Sequence, residues 1–346
     1  MSDPAARPAD GGRGEQRPPL NGALRLAPDI VGEIKRFIDN RRIEAAIPPS
    51  IRRRGVPFGG YERIGGLTNR NYKVYLGDEA LVLRLPGRGT GRFIDRSSER
   101  ANQEAAARAG FTPQSLFFDG RTGVKISRYL DDARALDAEE ARKPDRTREV
   151  ARLLSRFHES DIRFVKDFNV FRMSRIYERV ARARFARFYD GYQEARGRVY
   201  ALERPLESLG AKRVACHNDL VPENILATGE GLTLIDWEYS GMNDPAWDLA
   251  SFLLESDFGP EEETLFLITY QGGPVRERLR VRVEAFKLLQ DYLWSLWSLL
   301  QETANRDPSR ARYYREYGEF RYARGLSRLA SVEARLGLSR RGREKP

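Results

Sequence analysis

Cysteine and histidine are scarce in this chain of 346 residues. The only cysteine is Cys216, so no disulfide can form within the chain. There are only two histidines, His158 and His217, so we do not expect a zinc site built from histidine and cysteine. Long apolar runs are also missing. The most apolar window, residues 288–300, is interrupted by Gln290 and Asp291 and is too short to span a bilayer.

Residues 1–26 lack apolar periodicity and are rich in proline, glycine and charge, which predicts a disordered tail. The segment has no apolar core of the kind that signal peptides carry, so we expect a soluble, cytoplasmic protein. The formal net charge is +10, which raises the question of nucleic-acid binding. No basic stripe with regularly interleaved aromatic residues is visible, and we therefore expect no nucleic-acid partner. Binding of an anionic ligand, or an arginine-rich proteome, explains the charge equally well.

The hydrophobic pattern predicts an α+β protein with two lobes. A helix at 28–46 precedes strand-like runs at 58–65, 71–76, 80–85, 115–118 and 123–129, with one helix at 95–109 inserted between them. Helical patterns dominate after Leu130, interrupted by a strand-rich stretch at 213–236. We predict a nucleotide-binding N-lobe at 27–130, a catalytic C-lobe at 131–336 and a basic tail at 337–346.

The most informative segment runs from His217 to Glu238. Asn224 follows Asp219 by five residues, and Asp236 ends an apolar run 12 residues later. A kinase-type phosphoryl-transfer site needs such a set, because one carboxylate orients the attacking hydroxyl while an amide and a second carboxylate hold Mg²⁺. Asp219 is accordingly the candidate base, and Asn224 and Asp236 are the candidate metal ligands.

Glu238 and His217 complete the polar residues of interest in this segment. On an extended chain Glu238 would project to the same side as Asp236 and assist it; the alternative is an exposed ion-pair partner. His217 is expected to shape the loop by hydrogen bonding rather than to transfer protons. Asp248, in the helix that begins near Pro245, is expected to brace the same loop.

Phosphate binding is predicted in the N-lobe. The loop Gly65, Gly66, Leu67, Thr68, Asn69 lies between two strands, and its glycines allow backbone amides to approach phosphates, although a plain hairpin turn is the ordinary interpretation. Arg84 occupies the third strand, where its guanidinium can bind phosphate oxygens. Glu99 on the inserted helix is the predicted ion-pair partner of Arg84, with Glu104 as the alternative. Adenine is expected at the link 126–130.

An aromatic pair marks the last long helix. Trp294 and Trp297 are three residues apart and share a helix face. Core packing is one interpretation of the pair. The other is an aromatic wall for a cationic ligand, with Tyr239 adding a further side and Glu238 reinforcing selection for positive charge.

Over residues 58–335 the chain resembles the choline/ethanolamine kinases, a group within the aminoglycoside-phosphotransferase-like, protein-kinase-like superfamily. The resemblance is carried by the His-x-Asp-x-x-x-x-Asn pattern of 217–224, by Ile-Asp-Trp-Glu-Tyr from Ile235, by Leu-Arg-Leu-Pro-Gly from Leu83 and by Trp-Ser-Leu-Trp-Ser from Trp294. It is strongest toward the bacterial choline-kinase branch, through the run from Leu85 to Arg96. Trp237 departs from the phenylalanine that is usual in the family.

The resemblance implies a bilobal kinase fold, ATP and Mg²⁺ as cofactors, and choline as the acceptor, with the two tryptophans lining its pocket. Arginine at position 84 is then a family feature. Ethanolamine, thiamine or an aminoglycoside would keep the chemistry and change the acceptor. A non-catalytic binding module is a further alternative, which the complete Asp219, Asn224 and Asp236 set disfavours.

Overall fold

The computed structural model describes residues 39–52, 55–65, 69–87 and 94–338. The chain divides into two compact units between Pro49 and Ser50. The described part of the first unit contains one helix, α1, at 39–45, which agrees with the end of the helix predicted at 28–46. Residues 28–38, the predicted N-terminal tail and most of the C-terminal tail lie outside the described residues. The predicted lobe boundary near residue 130 falls inside the second unit and stays a prediction.

The second unit begins with an antiparallel sheet of five strands in the order β1-β2-β3-β5-β4. The strands are β1 (Phe58–Arg63), β2 (Arg70–Leu76), β3 (Glu79–Leu85), β4 (Ser115–Phe118) and β5 (Lys125–Arg128). Val74 and Leu76 of β2 and Leu81 and Leu83 of β3 are buried at alternate positions, as the period of two requires for one covered face, and Arg84 is also buried on the opposite face.

Helix α2 (Arg96–Arg108) joins β3 to β4, as predicted. Its N-terminus is capped by Asp95, whose carboxylate accepts hydrogen bonds from the amides of Ser97 and Ser98. The cap fixes where the helix begins and therefore which residues face the sheet. Glu99, in the first turn, is fully buried.

The rest of the unit is mostly helical, also as predicted. The helices are α3 (Ala138–Arg142), α4 (Pro144–Glu159), α5 (Val170–Ala183), α6 (Tyr192–Ala201), α7 (Glu203–Ser208), α8 (Ala246–Glu255), α9 (Pro260–Gln271), α10 (Glu277–Ala304), α11 (Pro308–Ser327) and α12 (Leu329–Arg335). Two small sheets lie among them, one of β6 (Arg134–Ala135), β8 (Ile225–Thr228) and β9 (Gly231–Leu234), the other of β7 (Val214–Cys216) and β10 (Gly241–Asn243).

Helix α10 forms the centre of the core. Its residues are buried from Phe286 to Leu300, and it packs against α5, α8 and α11. The apolar window of the sequence is thus a core helix. Among the described residues, no helix combines the length and apolar character that crossing a bilayer requires. Gly318 on α11 allows the close approach to α10, because a side chain there would collide with Ser298 and Tyr189.

Candidate active site

The loop that carries Asp219 is fixed by a buried carboxylate. Asp248 on α8 accepts hydrogen bonds from the backbone amides of His217 (2.7 Å) and Asn218 (2.8 Å), and its carboxylate lies 3.2 Å from His158 Nε2. The His217 ring contacts the Ile235 carbonyl oxygen at 2.8 Å. The loop β7–β8 is thereby tied to the segment after β9. His217 and Asp248 therefore make the kind of hydrogen bonds to the loop that was expected of them from the sequence.

Asp219 and Asn224 are brought together by a 3₁₀ turn, Pro222–Asn224. The Asn224 side-chain nitrogen donates to the Asp219 carbonyl oxygen at 2.8 Å. This bond uses the side-chain nitrogen of Asn224 and orients the side chain, so its oxygen, Oδ1, remains available as a metal ligand. Both residues line the same cavity.

Asp236 lies two residues after the end of β9 and has a left-handed backbone conformation, with φ of 66°. A non-glycine residue in this region is uncommon and stores strain. Its carboxylate lies 3.3 Å from Arg84 Nη1, which joins the segment to the five-stranded sheet. The side chain also lines the cavity.

The expectation of an extended chain between Asp236 and Glu238 is wrong, because the left-handed Asp236 turns the backbone and residues 238–239 form a turn; the two side chains nevertheless line the same cavity. The alternative of an exposed ion-pair partner is also wrong. Glu238 is only 8% exposed, and its carboxylate lies 3.1 Å from Arg96 and accepts a 3.0 Å hydrogen bond from Asn69. Glu238 still lines the cavity.

These contacts belong to a buried chain of alternating charges. Arg84 pairs with Glu99, Glu99 pairs with Arg96 at 2.7 Å, and Arg96 pairs with Glu238. Glu99 is thus the ion-pair partner of Arg84, whereas the alternative, Glu104, pairs with Arg100 at the surface. Sequence reasoning missed Arg96, although its spacing of three residues before Glu99 on a helix was a usable signal.

The glycine loop is only partly described. Gly65 has φ of 100°, a conformation that favours glycine. Asn69 is buried, and its amide bonds Glu238 rather than facing open space. Gly66 and Thr68 lie outside the described residues, so phosphate binding by this loop stays a prediction.

A cavity of about 880 Å³ connects these groups. At one end its wall comes from the sheet and the link that follows it: Val82, Arg84, Lys125, Ser127, Tyr129 and Leu130. At the other end it comes from helices α8, α10 and α11 and from one residue of the turn after β9: Glu255, Trp294, Trp297, Tyr317, Arg321 and, in the turn, Tyr239. Asp219, Asn224 and Asp236 also line it. The same cavity is therefore lined by the predicted catalytic, metal and acceptor residues and, of the predicted nucleotide residues, by Arg84.

The helical end is an aromatic wall of rings set edge to face. The ring centroids of Tyr239 and Trp294 are 5.4 Å apart, those of Trp294 and Trp297 are 6.3 Å apart, and those of Trp297 and Tyr317 are 6.4 Å apart. Because each pair is nearly perpendicular, the rings present faces in several directions. Such a wall suits a cation without hydrogen-bond donors.

Sequence reasoning missed three residues of this end. Glu255 lies seven residues after Asp248, two turns along one face of α8, and its carboxylate is 2.6 Å from Arg321. Tyr317 and Arg321 share a face of α11 because they are four residues apart. Arg321 also pairs with the buried Asp291 at 3.0 Å, which holds it in place.

The cavity is acidic where the catalytic residues lie. Burial, followed by the nearby Asp236, Glu238 and Glu255 charges, raises the pKa of Asp219 well above its usual range. Burial, with Asp236 and Glu99 adding repulsion, raises the pKa of Glu238 to about 7. The carboxylates thus disfavour one another's ionisation, and a bound cation would relieve that repulsion.

Comparison with known proteins agrees with this geometry. Residues 62–281 match the profile of the choline/ethanolamine kinase family. The chain is 31% identical to the LicA protein of Haemophilus influenzae over 255 residues, which cover 71% of this chain and 74% of that protein.

Two solved structures are similar over most of the chain. The choline kinase LicA from Streptococcus pneumoniae superposes with a TM-score of 0.72 and 32% identity, covering 86% of this chain and 99% of that one. A structure of LicA in complex with AMP gives the same values. The predicted two-lobed kinase fold is confirmed, and nucleotide use follows from the family. The chain therefore belongs to the choline/ethanolamine kinase family, and it is a phosphotransferase that acts on an alcohol group.

Proposed function

We propose that the protein transfers the γ-phosphate of ATP, with Mg²⁺, to the hydroxyl group of choline. The observation that carries this proposal is the position of Asp219 in one cavity with Arg84 and Asp236 on one side and the tryptophan pair on the other. A hydroxyl held at Asp219 would face the phosphates, while the rest of a small amino alcohol would reach the aromatic wall.

In this proposal Asp219 orients the acceptor hydroxyl and takes up its proton. Phosphoryl transfer depends mainly on positioning and charge, so the fixed geometry of the loop matters more than strong basicity. Asp248 supplies that geometry through its two backbone hydrogen bonds. Arrival of a cationic acceptor would lower the raised pKa of Asp219 and favour the ionised base.

Asn224 and Asp236 would hold the Mg²⁺. Their side chains offer hard oxygen donors in one cavity, which is the donor type that Mg²⁺ selects, and few protein ligands suit an ion that keeps waters and phosphates. The bound ion would neutralise charge on the phosphates. Arg84, anchored by Glu99, would lie beside them.

Choline is favoured over ethanolamine by the chemistry of the wall. A trimethylammonium group donates no conventional hydrogen bond and is held by ring faces and by long-range attraction to carboxylates. Here the wall consists of Tyr239, Trp294, Trp297 and Tyr317. Glu255 adds negative charge, but Arg321 already occupies its carboxylate.

Ethanolamine is the second candidate, because Glu255 and Glu238 both line the cavity and could accept hydrogen bonds from a primary ammonium. Thiamine and aminoglycosides remain alternatives of the same chemistry. A non-catalytic role would leave the intact set Asp219, Asn224 and Asp236 without a purpose.

The proposal is tested by ADP release from Mg-ATP in the presence of choline, ethanolamine, thiamine or kanamycin. Turnover with choline well above the others is the expected result. Turnover with a different acceptor would keep the catalytic residues and refute the assignment of the aromatic wall. Absence of turnover with all four, while ATP binds, would refute the proposed reaction.

A further inference from the structure

A second cation lies beside Arg84 in the cavity. Lys125 is the first residue of β5, directly opposite Arg84 on β3 and opposite Phe118 on β4. The Lys125 ammonium is 5.7 Å from the centroid of the Phe118 ring, and the Arg84 guanidinium is 5.3 Å from the same centroid. Three neighbouring strands therefore place both cations around one ring, and both side chains line the cavity.

Arg84 is already occupied by protein partners. Its guanidinium pairs with Glu99 and Asp236, and Nη2 donates to the Gly123 carbonyl oxygen at 3.2 Å. Two carboxylates thus compensate its positive charge. A phosphate approaching Arg84 would have to compete with them.

Among the described residues, Lys125 makes no comparable ion pair. Its ammonium carries three N–H groups and donates to Gln103 Oε1 at 2.9 Å. Within the described ranges of the chain, no carboxylate forms an ion pair with it. The charged groups around it are Arg84 from β3, Glu99 from α2, and Asp236 and Glu238 after β9. Burial, together with Arg84, lowers the pKa of Lys125 to about 8, which reflects a cation short of partners.

The position of Lys125 points to the phosphates rather than to adenine. Asp236, the proposed metal ligand, contacts the Arg84 side chain that faces Lys125 across the strand pair. The link to which adenine is assigned begins after Lys125 on the same strand and leads away toward Leu130. A cation that lacks a carboxylate partner and borders the metal site is suited to an anion there.

We propose that Lys125 binds the terminal phosphates of the nucleotide, beside Arg84, as the cation of the two that makes no ion pair with a carboxylate of the described residues. This inference rests on the proposed use of ATP, and it assigns a phosphate-binding residue that sequence reasoning did not identify. Gln103 then acts as the support that holds the ammonium in the cavity, since its own amide is anchored on Ser115 at 2.7 Å.

The test is the dependence of binding on the number of phosphates. Isothermal titration calorimetry without acceptor compares Mg²⁺ with AMP, ADP and ATP for the full chain and for Lys125→Met, which keeps the stem against Phe118. We expect the variant to lose at least tenfold in ATP affinity, less in ADP affinity and under twofold in AMP affinity. Equal losses for all three nucleotides, or no loss, would overturn the proposal.

Lys73→Met is the matched control. Lys73 is a lysine of the same sheet, on β2, whose ammonium lies 3.8 Å from the centroid of the Tyr129 ring and does not line the cavity. Its loss is expected to change the three affinities by one common factor or not at all. If Lys125→Met fails to fold, Lys125→Gln provides the same comparison, because glutamine also removes the charge.

The outcome is separable from that of the proposed function. Loss of ATP affinity in Lys125→Met, with no turnover of choline by the unmodified chain, would refute the acceptor and keep the phosphate-binding residue. Turnover of choline by the unmodified chain, with unchanged ATP affinity in the variant, would refute only the role of Lys125.

Discussion

Replacing Trp297 by leucine tests the aromatic wall, because leucine keeps an apolar side chain and removes the ring face. Trp297 is 9% exposed and borders the cavity, so a cation there would be largely desolvated. A cation–π contact in such a site contributes about 1–2 kcal/mol. Since 1.36 kcal/mol corresponds to a factor of ten in rate, kcat/KM for choline should fall about 5- to 30-fold.

The assay measures kcat/KM for choline and for ethanolamine with the same enzyme preparations. A partly unfolded variant loses both activities by one factor, so the ratio of the two values isolates the wall from stability. We expect less than a threefold change for ethanolamine, whose ammonium is held by hydrogen bonds to carboxylates. Trp297→Phe, which retains a ring, should lose less than Trp297→Leu. Equal losses for both acceptors would refute the reasoning.

Three further predictions concern charge and packing. Asp219→Asn should lower kcat by about 10²–10⁴-fold. The same substitution should raise the melting temperature at neutral pH. Because the pKa of Asp219 is raised by folding, the folded state binds more protons than the unfolded state, and ionised Asp219 destabilises the fold as pH rises above the ordinary carboxyl range. An unchanged or lower melting temperature would contradict this. Glu99→Gln should cost about 3 kcal/mol in urea unfolding, because Arg84 and Arg96 lose a shared buried carboxylate, whereas the exposed Glu104→Gln should cost about 0.5 kcal/mol or less; similar costs would count against the buried pair. Gly318→Ala should destabilise the α10–α11 contact by about 1–3 kcal/mol, while Gly197→Ala on α6, which meets open space, should not; equal stabilities of the two variants would be evidence against the close approach.

Much of the fold could be predicted because the elements are long or strongly periodic. The strands β2 and β3 alternate clearly, and α10 is apolar over many turns. The short elements β6, α3 and β10 were not predicted. Each has five residues or fewer, so no periodicity can develop, and the two strands pair with distant partners, β6 with β8 and β10 with β7.

The site was predictable where a local spacing carried its chemistry. Asp219, Asn224 and Asp236 form a motif along the chain, and the structure brings them to one cavity. The backbone between Asp236 and Glu238 was wrongly predicted to be extended, because an aspartate gives no sequence signal for the left-handed conformation that Asp236 adopts. Lys125 and Glu255 were missed because their importance depends on cross-strand and interhelix neighbours, which a single sequence does not reveal.

The charge arrangement explains how one cavity can serve two unlike ligands. The chain of ion pairs from Arg84 to Glu238 is closed within the protein, so it fixes geometry and leaves little net charge. Lys125 on the sheet side and Asp219 on the helical side form no ion pair with any of the described residues. We expect the first to attract the phosphates and the second to attract the cationic acceptor.

The central claim is that the aromatic wall selects choline for phosphorylation. The most direct measurement is phosphorus NMR of a single reaction that contains the full chain, Mg-ATP and equimolar choline and ethanolamine. The account predicts phosphocholine as the dominant product. Predominant phosphoethanolamine would contradict it.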